Sequence, residues 1–212
     1  MLFGKLARMA SVEAAATPDI VIHPRWVRIT HWINALAMIV MIGSGWQIYN
    51  ASPLFGFTFP TSITLGGWLA GALLWHFAAM WVLAINGLIY LGLGVVLGRF
   101  RRKLWPIRAS ELVADARAAL TFQLSHDDLA VYNSVQRLLY AGVLVAGVVI
   151  VLSGLALWKP VQLQELTALF GGYEASRYVH FFAMAAIVGF LVIHLVLAIV
   201  VPRSLRAMIR GR

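Results

Sequence analysis

VHFFAMAAIVGFLVIHLVLAIVV, residues 179–201, is the stretch of the sequence that decides the fold. It contains no Asp, Glu, Lys or Arg, and a bilayer-spanning helix takes about 20 such apolar residues. Its two histidines, His180 and His194, lie fourteen positions apart. That spacing is close to four helical turns, so both face one side, about 21 Å apart along the axis. The stretch predicts a membrane helix with ionisable groups at two depths.

Three further stretches have the same character, at about 29–49, 63–97 and 138–158. The whole chain of 212 residues is 61% hydrophobic and 12% charged, whereas soluble domains carry about 25% charged residues. No sustained alternation of period two is present, so strands are not expected. The sequence therefore predicts an all-α membrane protein, a four-transmembrane-helix bundle whose overlong second span tilts or projects from the membrane.

The net charge of +9 comes from basic residues in only three segments. These are the N-terminal segment, the connection between the second and third spans, and the C-terminal tail, whereas the other two connections carry only Lys159 and Arg177. By the positive-inside rule, both termini and the middle connection are cytoplasmic. We therefore expect no nucleic acid partner, because the charge marks orientation in a bacterial inner membrane, in contact with lipid.

This orientation divides the chain into a cytoplasmic N-terminal tail (1–24), a membrane domain (25–202) and a basic cytoplasmic tail (203–212). Within the middle connection, residues 110–120 predict a short cytoplasmic amphipathic helix. In the outer connection between the third and fourth spans, residues 161–170 predict a short loop helix.

The sequence contains no cysteine, which excludes disulfides, iron–sulfur clusters, thiolate zinc sites and covalently attached c-type haem. Attention therefore turns to the histidines, four of which lie in or at the edge of spans. The alternating direction of the spans predicts their depths: His31 and His194 lie on the cytoplasmic side, and His76 and His180 on the outer side. Ionisable residues at membrane depth are costly and usually functional.

Two stacked pairs of histidines predict two b-type haems, each with two axial imidazole ligands, in an electron-transfer protein. His31 and His194 would ligate the inner haem iron, and His76 and His180 the outer one. Arg28 and Arg177, each three residues before a histidine, are candidates to bind haem propionates, although either is equally explained as an interfacial anchor. Two alternatives remain: a His-lined proton or metal-ion transporter, and a cofactor-free membrane anchor. The transporter would favour acidic partners within the spans, and the sequence has none there.

The motif Arg28-Ile29-Thr30-His31-Trp32, together with His76 and the pair His180 and His194, resembles the superfamily of bacterial cytochrome b561 and nickel-hydrogenase b-type cytochromes. The resemblance extends from residue 23 to 202. Within this superfamily, the chain is similar to formate dehydrogenase gamma subunits and to thiosulfate reductase cytochrome b subunits. It implies electron transfer between the quinone pool and a periplasmic redox partner, a molybdopterin-dependent oxidoreductase. A stand-alone superoxide:quinone oxidoreductase is the alternative within the same fold.

The segment Tyr132-Asn133-x2-Gln136-Arg137 is similar to a Tyr-Asn-x-x-Gln stretch of the formate dehydrogenase subunits. In those relatives this neighbourhood contributes to a quinone site beside the cytoplasmic-side haem. By that resemblance, Asn133 and Gln136 are candidates to hydrogen-bond a quinone or quinol, as an exchangeable substrate, near His194 on the cytoplasmic side. The alternative is that they only cap and pack the start of the third span.

Overall fold

The computed structural model describes residues 21–104, 109–120 and 134–211, and within these ranges every regular element is helical. The α-helices in chain order are α1 (Arg25–Ala51), α2 (Leu69–Val96), α3 (Arg99–Leu104), α4 (Ala109–Leu120), α5 (Ser134–Trp158), α6 (Gln164–Leu169), α7 (Tyr173–Val200) and α8 (Pro202–Arg210). Helices α1, α2, α5 and α7 are long and apolar enough to cross a membrane. The predicted all-α fold with four membrane-spanning helices is confirmed. Short helices are found in the two connections where they were expected, α4 for the prediction at 110–120 and α6 for the one at 161–170, whereas the cytoplasmic side of α4 stays a prediction.

The outward surface of the spanning helices is apolar. Large side chains stand exposed along them, for example Leu74, Leu88 and Ile199, each at least 70% exposed. Contiguous apolar exposure on this scale would be unfavourable in water but suits a hydrocarbon environment. The surface that a soluble protein would bury is therefore the lipid-facing surface here.

The four spanning helices form two hairpins, α1 with α2 and α5 with α7. Within each hairpin the two backbones run close together over a long stretch. Between the hairpins, the spanning helices of the described chain make few close backbone contacts. Side chains therefore occupy the space between the hairpins. The four histidines of the spanning helices point into this space.

A buried amide helps to hold α1 against α2. Asn86 on α2 is 7% exposed and donates its Nδ2 hydrogens to the carbonyl oxygen of Thr30 (2.7 Å) and to Oδ1 of Asn34 (2.8 Å). The same interface buries mainly small residues: Ala37, Ser44, Ala72 and Ala79. Small residues and interhelical hydrogen bonds are the usual basis of helix association in lipid, where the hydrophobic effect does not drive it.

The second span begins later than the apolar pattern predicts, at Leu69 rather than at residue 63. A 3₁₀ turn (Thr61–Ile63) and a glycine-containing loop precede it. Gly66 has a φ of +112°, and a Cβ there would lie 2.4 Å from backbone atoms of Ala72. The apolar residues before Leu69 therefore belong to a tight loop against the helix start, which explains most of the extra length.

The segment after the fourth span is a helix, α8, attached to the beginning of α1. Arg28 donates from Nε to the carbonyl oxygen of Met208 (3.2 Å) and from a terminal nitrogen to that of Ile209. Gly211 ends the helix in the left-handed conformation, with φ of +92°. Its carbonyl oxygen accepts from the backbone N–H groups of residues 22 and 23. The start of α1 and the C-terminal helix therefore lie at the same end of the bundle.

Helix α4 contributes to the start of the third span at this same end. The backbone N–H of Ser134 donates to a carboxylate oxygen of Asp115 (2.7 Å), and its hydroxyl donates to Glu111 (3.0 Å). Carboxylates at a helix N-terminus satisfy its free N–H groups and favour its dipole. Helix α4 is therefore attached to the N-terminus of α5 by these side chains.

Candidate functional site

The intramembrane histidines meet in two pairs across the gap between the hairpins. His31 on α1 and His194 on α7 have ring centroids 6.0 Å apart. His76 on α2 and His180 on α7 have ring centroids 6.5 Å apart. The first pair lies toward the end of the bundle that carries α8, and the second toward the opposite end. In each pair, one histidine comes from the α1–α2 hairpin and the other from the α5–α7 hairpin.

These separations agree with the spacing of two imidazoles bound on opposite sides of one metal ion. A metal–imidazole nitrogen bond is about 2 Å, and that nitrogen lies about 1.2 Å from its ring centroid, so two such ligands place their centroids about 6.4 Å apart. The observed centroid distances of 6.0 and 6.5 Å bracket this value. The donor set and the spacing therefore fit an ion with two axial imidazoles in each pair.

The two outer histidines share a second feature, a serine hydroxyl on the ring nitrogen Nδ1. Ser44 Oγ lies 3.0 Å from Nδ1 of His76, and Ser153 Oγ lies 3.0 Å from Nδ1 of His180. Both serines are fully buried. In each hairpin the first helix thus supplies the serine and the second helix supplies the histidine.

The residue after each of these serines is a glycine that lies against the same ring. A Cβ at Gly45 would come within 3.4 Å of Cε1 of His76, and one at Gly154 within 3.1 Å of Cε1 of His180. A larger side chain at either position would press on the imidazole. In each Ser-Gly dipeptide, the serine therefore hydrogen-bonds to an outer histidine and the glycine leaves space for the ring of that histidine.

A cavity of about 140 Å³ adjoins the outer pair. Its lining is largely apolar and includes His76, His180 and Arg177. The Arg177 guanidinium donates to Glu174 (3.0 Å) and to the carbonyl oxygen (2.5 Å) and hydroxyl (3.1 Å) of Ser52. Aromatic rings of the loop after α1 and of α7 surround this end, with Phe55 and Phe181 in contact at 5.1 Å between centroids.

The inner pair has a different environment. Its neighbours are aromatic: Trp32 packs edge-on to His31 at 5.4 Å, and Phe190 stacks on His194 at 5.7 Å. Among the described residues, no hydrogen bond to either of these two imidazole rings is found. Arg28 lies one turn before His31, and its Nε and one terminal nitrogen are used at the end of α8. A shallow, open pocket of about 450 Å³ lies between the start of α1 and α8.

The predicted quinone residues are only partly within the described structure. Gln136 lies in the first turn of α5, at the end of the bundle that carries α8. Asn133 lies outside the described residues. The roles of both residues remain predictions.

Two candidate functional residues, Ser44 and Ser153, are not identified by the sequence pattern and emerge only from their contacts in the structure. A single serine in an apolar span is unremarkable, because its hydroxyl bonds to its own helix backbone. The available signal was the repetition of Ser-Gly in the first and third spans.

A four-span helical bundle with two pairs of facing imidazoles in its interior defines the class of membrane electron-transfer cytochromes. The comparisons agree: the model of the prokaryotic cytochrome b561 family matches residues 22–211, and the chain belongs to this family. A similar protein is the putative protein-methionine-sulfoxide reductase subunit YedZ1 of Azospira oryzae, 53% identical over 190 residues, covering 90% of this chain and 96% of that protein. Family membership implies binding of haem b and a location in the bacterial inner membrane.

Proposed function

We propose that this cytochrome carries electrons across the membrane through two b haems, one held by His31 and His194 and the other by His76 and His180. The observation that supports this most strongly is the pair of ring-centroid distances, 6.0 and 6.5 Å, between helices of different hairpins. Two such sites at opposite depths connect the two membrane faces. When bound by these histidines, haem would supply one-electron chemistry.

The number of ligands favours a macrocycle over a bare metal ion. Within the described ranges, no group of three or more His, Cys, Asp or Glu side chains could hold a metal. Structural zinc takes four ligands and catalytic zinc takes three from the protein, whereas each pair here offers two nitrogens. A porphyrin supplies the remaining four, so this arrangement argues against the metal-ion transporter.

The remaining residues of the site hold the cofactors and exclude water. The apolar walls of the spanning helices keep the two sites in a medium of low dielectric constant. Arg177, which lines the cavity beside His180, offers a cation for an outer propionate. Arg28 is the corresponding candidate on the inner side.

The cytoplasmic side is the proposed entrance for electrons, from a quinol bound near Gln136 and Asn133. Oxidation of the quinol to a quinone releases two electrons and two protons. The electrons then pass from the inner to the outer site. The open pocket between α1 and α8, which Ile33 lines, is an alternative place for the quinol. Slower quinol oxidation in a Gln136 variant would support the first position, and slower oxidation in an Ile33 variant would support the second.

The proposed recipient is a separate redox protein at the outer face. The Azospira relative is named as a putative subunit of a protein-methionine-sulfoxide reductase. We therefore propose that His76 and His180 would hold the haem that passes electrons to such a reductase, which would use them to reduce a methionine sulfoxide side chain of its substrate protein. That reaction consumes two electrons and two protons and yields methionine and water, so one quinol balances one sulfoxide.

The test uses the purified full-length protein in anaerobic liposomes, with and without a co-expressed methionine-sulfoxide reductase of the same source. Quinol should reduce both haems, and methionine sulfoxide should reoxidise them only when the reductase is present. Reduction of the haems by superoxide, with electrons passed on to quinone without a partner, would instead support the stand-alone oxidoreductase. Failure of quinol to reduce either haem would contradict the proposed direction.

A further inference from the structure

The serines that contact the outer histidines have only one arrangement of hydrogens that fits their surroundings. Ser44 Oγ lies 2.6 Å from the carbonyl oxygen of Val40, and Ser153 Oγ lies 2.8 Å from that of Val149. A carbonyl oxygen only accepts, and a hydroxyl has a single hydrogen to donate. Each serine therefore donates to its own helix and accepts from the histidine.

This arrangement sets the tautomer of both outer histidines. Since Nδ1 donates its hydrogen to the serine at 3.0 Å, the other ring nitrogen, Nε2, is left without a hydrogen in the neutral ring. An unprotonated ring nitrogen is the one that binds a metal, and a partner on the other N–H fixes the ring orientation and raises its basicity. The serines thus prepare Nε2 of both outer histidines as ligands.

We infer that Ser44 and Ser153 are positioning residues specific to the outer haem, and this inference rests on the proposed function. Each accepts a hydrogen bond from the Nδ1–H of one axial histidine, and the following glycine leaves space for that ring. The inner pair has no such partner among the described residues and is surrounded by Trp32 and Phe190 instead. The two haems of one chain are therefore held by different means.

The inference predicts a distinct effect on the outer site when either hydroxyl is removed. An axial imidazole that donates a hydrogen bond from Nδ1–H gives more electron density to the iron and stabilises its oxidised form. Ser44→Ala and Ser153→Ala should therefore raise the midpoint potential of the outer haem. They should also weaken its binding, by about 10- to 100-fold for loss of such a partner.

The experiment measures the potentials and the dissociation of both haems in the purified full-length protein by spectroelectrochemistry and haem transfer to an apoprotein acceptor. The outer haem is identified by its absence from a His76→Ala variant. Ser176→Ala is the matched control, since Ser176 is also fully buried and donates to the carbonyl oxygen of its own helix turn, at 2.8 Å. In Ser176→Ala, both haems should keep the wild-type midpoint potentials and dissociation rates. In Ser44→Ala and Ser153→Ala, the inner haem should keep them.

Conservative replacements separate the hydrogen bond from packing. Ser44→Thr and Ser153→Thr keep a hydroxyl and should restore the wild-type potential. Ser44→Cys keeps most of the volume but accepts weakly, so it should behave like alanine even if the alanine variant assembles poorly. Alanine and cysteine variants that match Ser176→Ala in both readouts would overturn the inference. A His76→Ala protein that retains two haems would instead refute the proposed ligand assignment.

Discussion

The imidazole rings of His76 and His180 face each other across the gap between the two hairpins, 6.5 Å apart at their centroids. The inner pair repeats this relationship at the other end of the bundle, at 6.0 Å. Since the spanning helices of different hairpins make few close backbone contacts in the described residues, ligands held by these pairs would join the hairpins. Cofactor binding and assembly of the bundle should therefore depend on each other.

Replacement of His76 by alanine should remove the outer haem and leave the inner one in place. We expect haem quantification to give one haem per chain, and a lower thermal unfolding temperature because one link between the hairpins is lost. His23→Ala is the control, since His23 precedes α1 and belongs to neither pair. Selective loss of the inner haem in His76→Ala would contradict the topology.

The glycines beside the outer histidines should tolerate a methyl group unequally. A Cβ at Gly154 would lie 3.1 Å from His180, and one at Gly45 would lie 3.4 Å from His76. Gly154→Ala should therefore lower the outer haem content more than Gly45→Ala. Gly189→Ala on α7, where a Cβ meets nothing within 4 Å, should retain both haems and gain slightly in helix stability. Equal haem contents in all three variants would refute this order.

The fold was predictable from the sequence because membrane spans are encoded in local properties. Length and apolar composition predict the four spanning helices. Arithmetic on helix rise, with the alternating course of the spans, predicts which histidines pair. Ser44 and Ser153 could not be assigned in this way. Their contacts depend on the rotation of each helix about its axis, which side-chain packing between helices determines.

The start of the second span was missed for a related reason. The residues before Leu69 are apolar, and hydropathy does not distinguish a membrane helix from an apolar loop folded against its end. The positive φ of Gly66 places these residues in a loop, and the helix begins only at Leu69. Likewise, the basic composition of residues 203–212 predicts a cytoplasmic side for them, but it does not predict the contacts of Arg28 with carbonyl oxygens of α8.

The buried amide of Asn86 should contribute measurably to stability. Interhelical hydrogen bonds in membranes average about 0.6 kcal/mol, so Asn86→Ala, which loses two, should reduce the free energy of unfolding by about 1 kcal/mol. Thr30→Val serves as control, because Asn86 bonds to the backbone carbonyl oxygen of Thr30, which the change preserves. Denaturant unfolding in detergent provides the measurement. An Asn86→Ala protein that loses no more stability than Thr30→Val would contradict the predicted contribution of the amide.

The contact between Arg28 and α8 should be visible in hydrogen exchange. Arg28→Gln removes the guanidinium that donates to the carbonyl oxygens of Met208 and Ile209. We expect faster exchange of the amides of α8, whereas Arg25→Gln, at the exposed start of α1, should leave their exchange unchanged. Unaltered protection of α8 in Arg28→Gln would indicate that its packing and the backbone hydrogen bonds of Gly211 hold the helix without the guanidinium.

The most direct test of the two-haem assignment is the ratio of haem b to polypeptide in the purified wild-type protein, with a reduced-minus-oxidised spectrum. The preparation should come from haem-replete cells, and the ratio should be measured by pyridine haemochrome against quantitative amino-acid analysis. Two b haems per chain are predicted, one for each histidine pair. A ratio of one, or a colourless preparation, would contradict the proposal that both pairs bind haem.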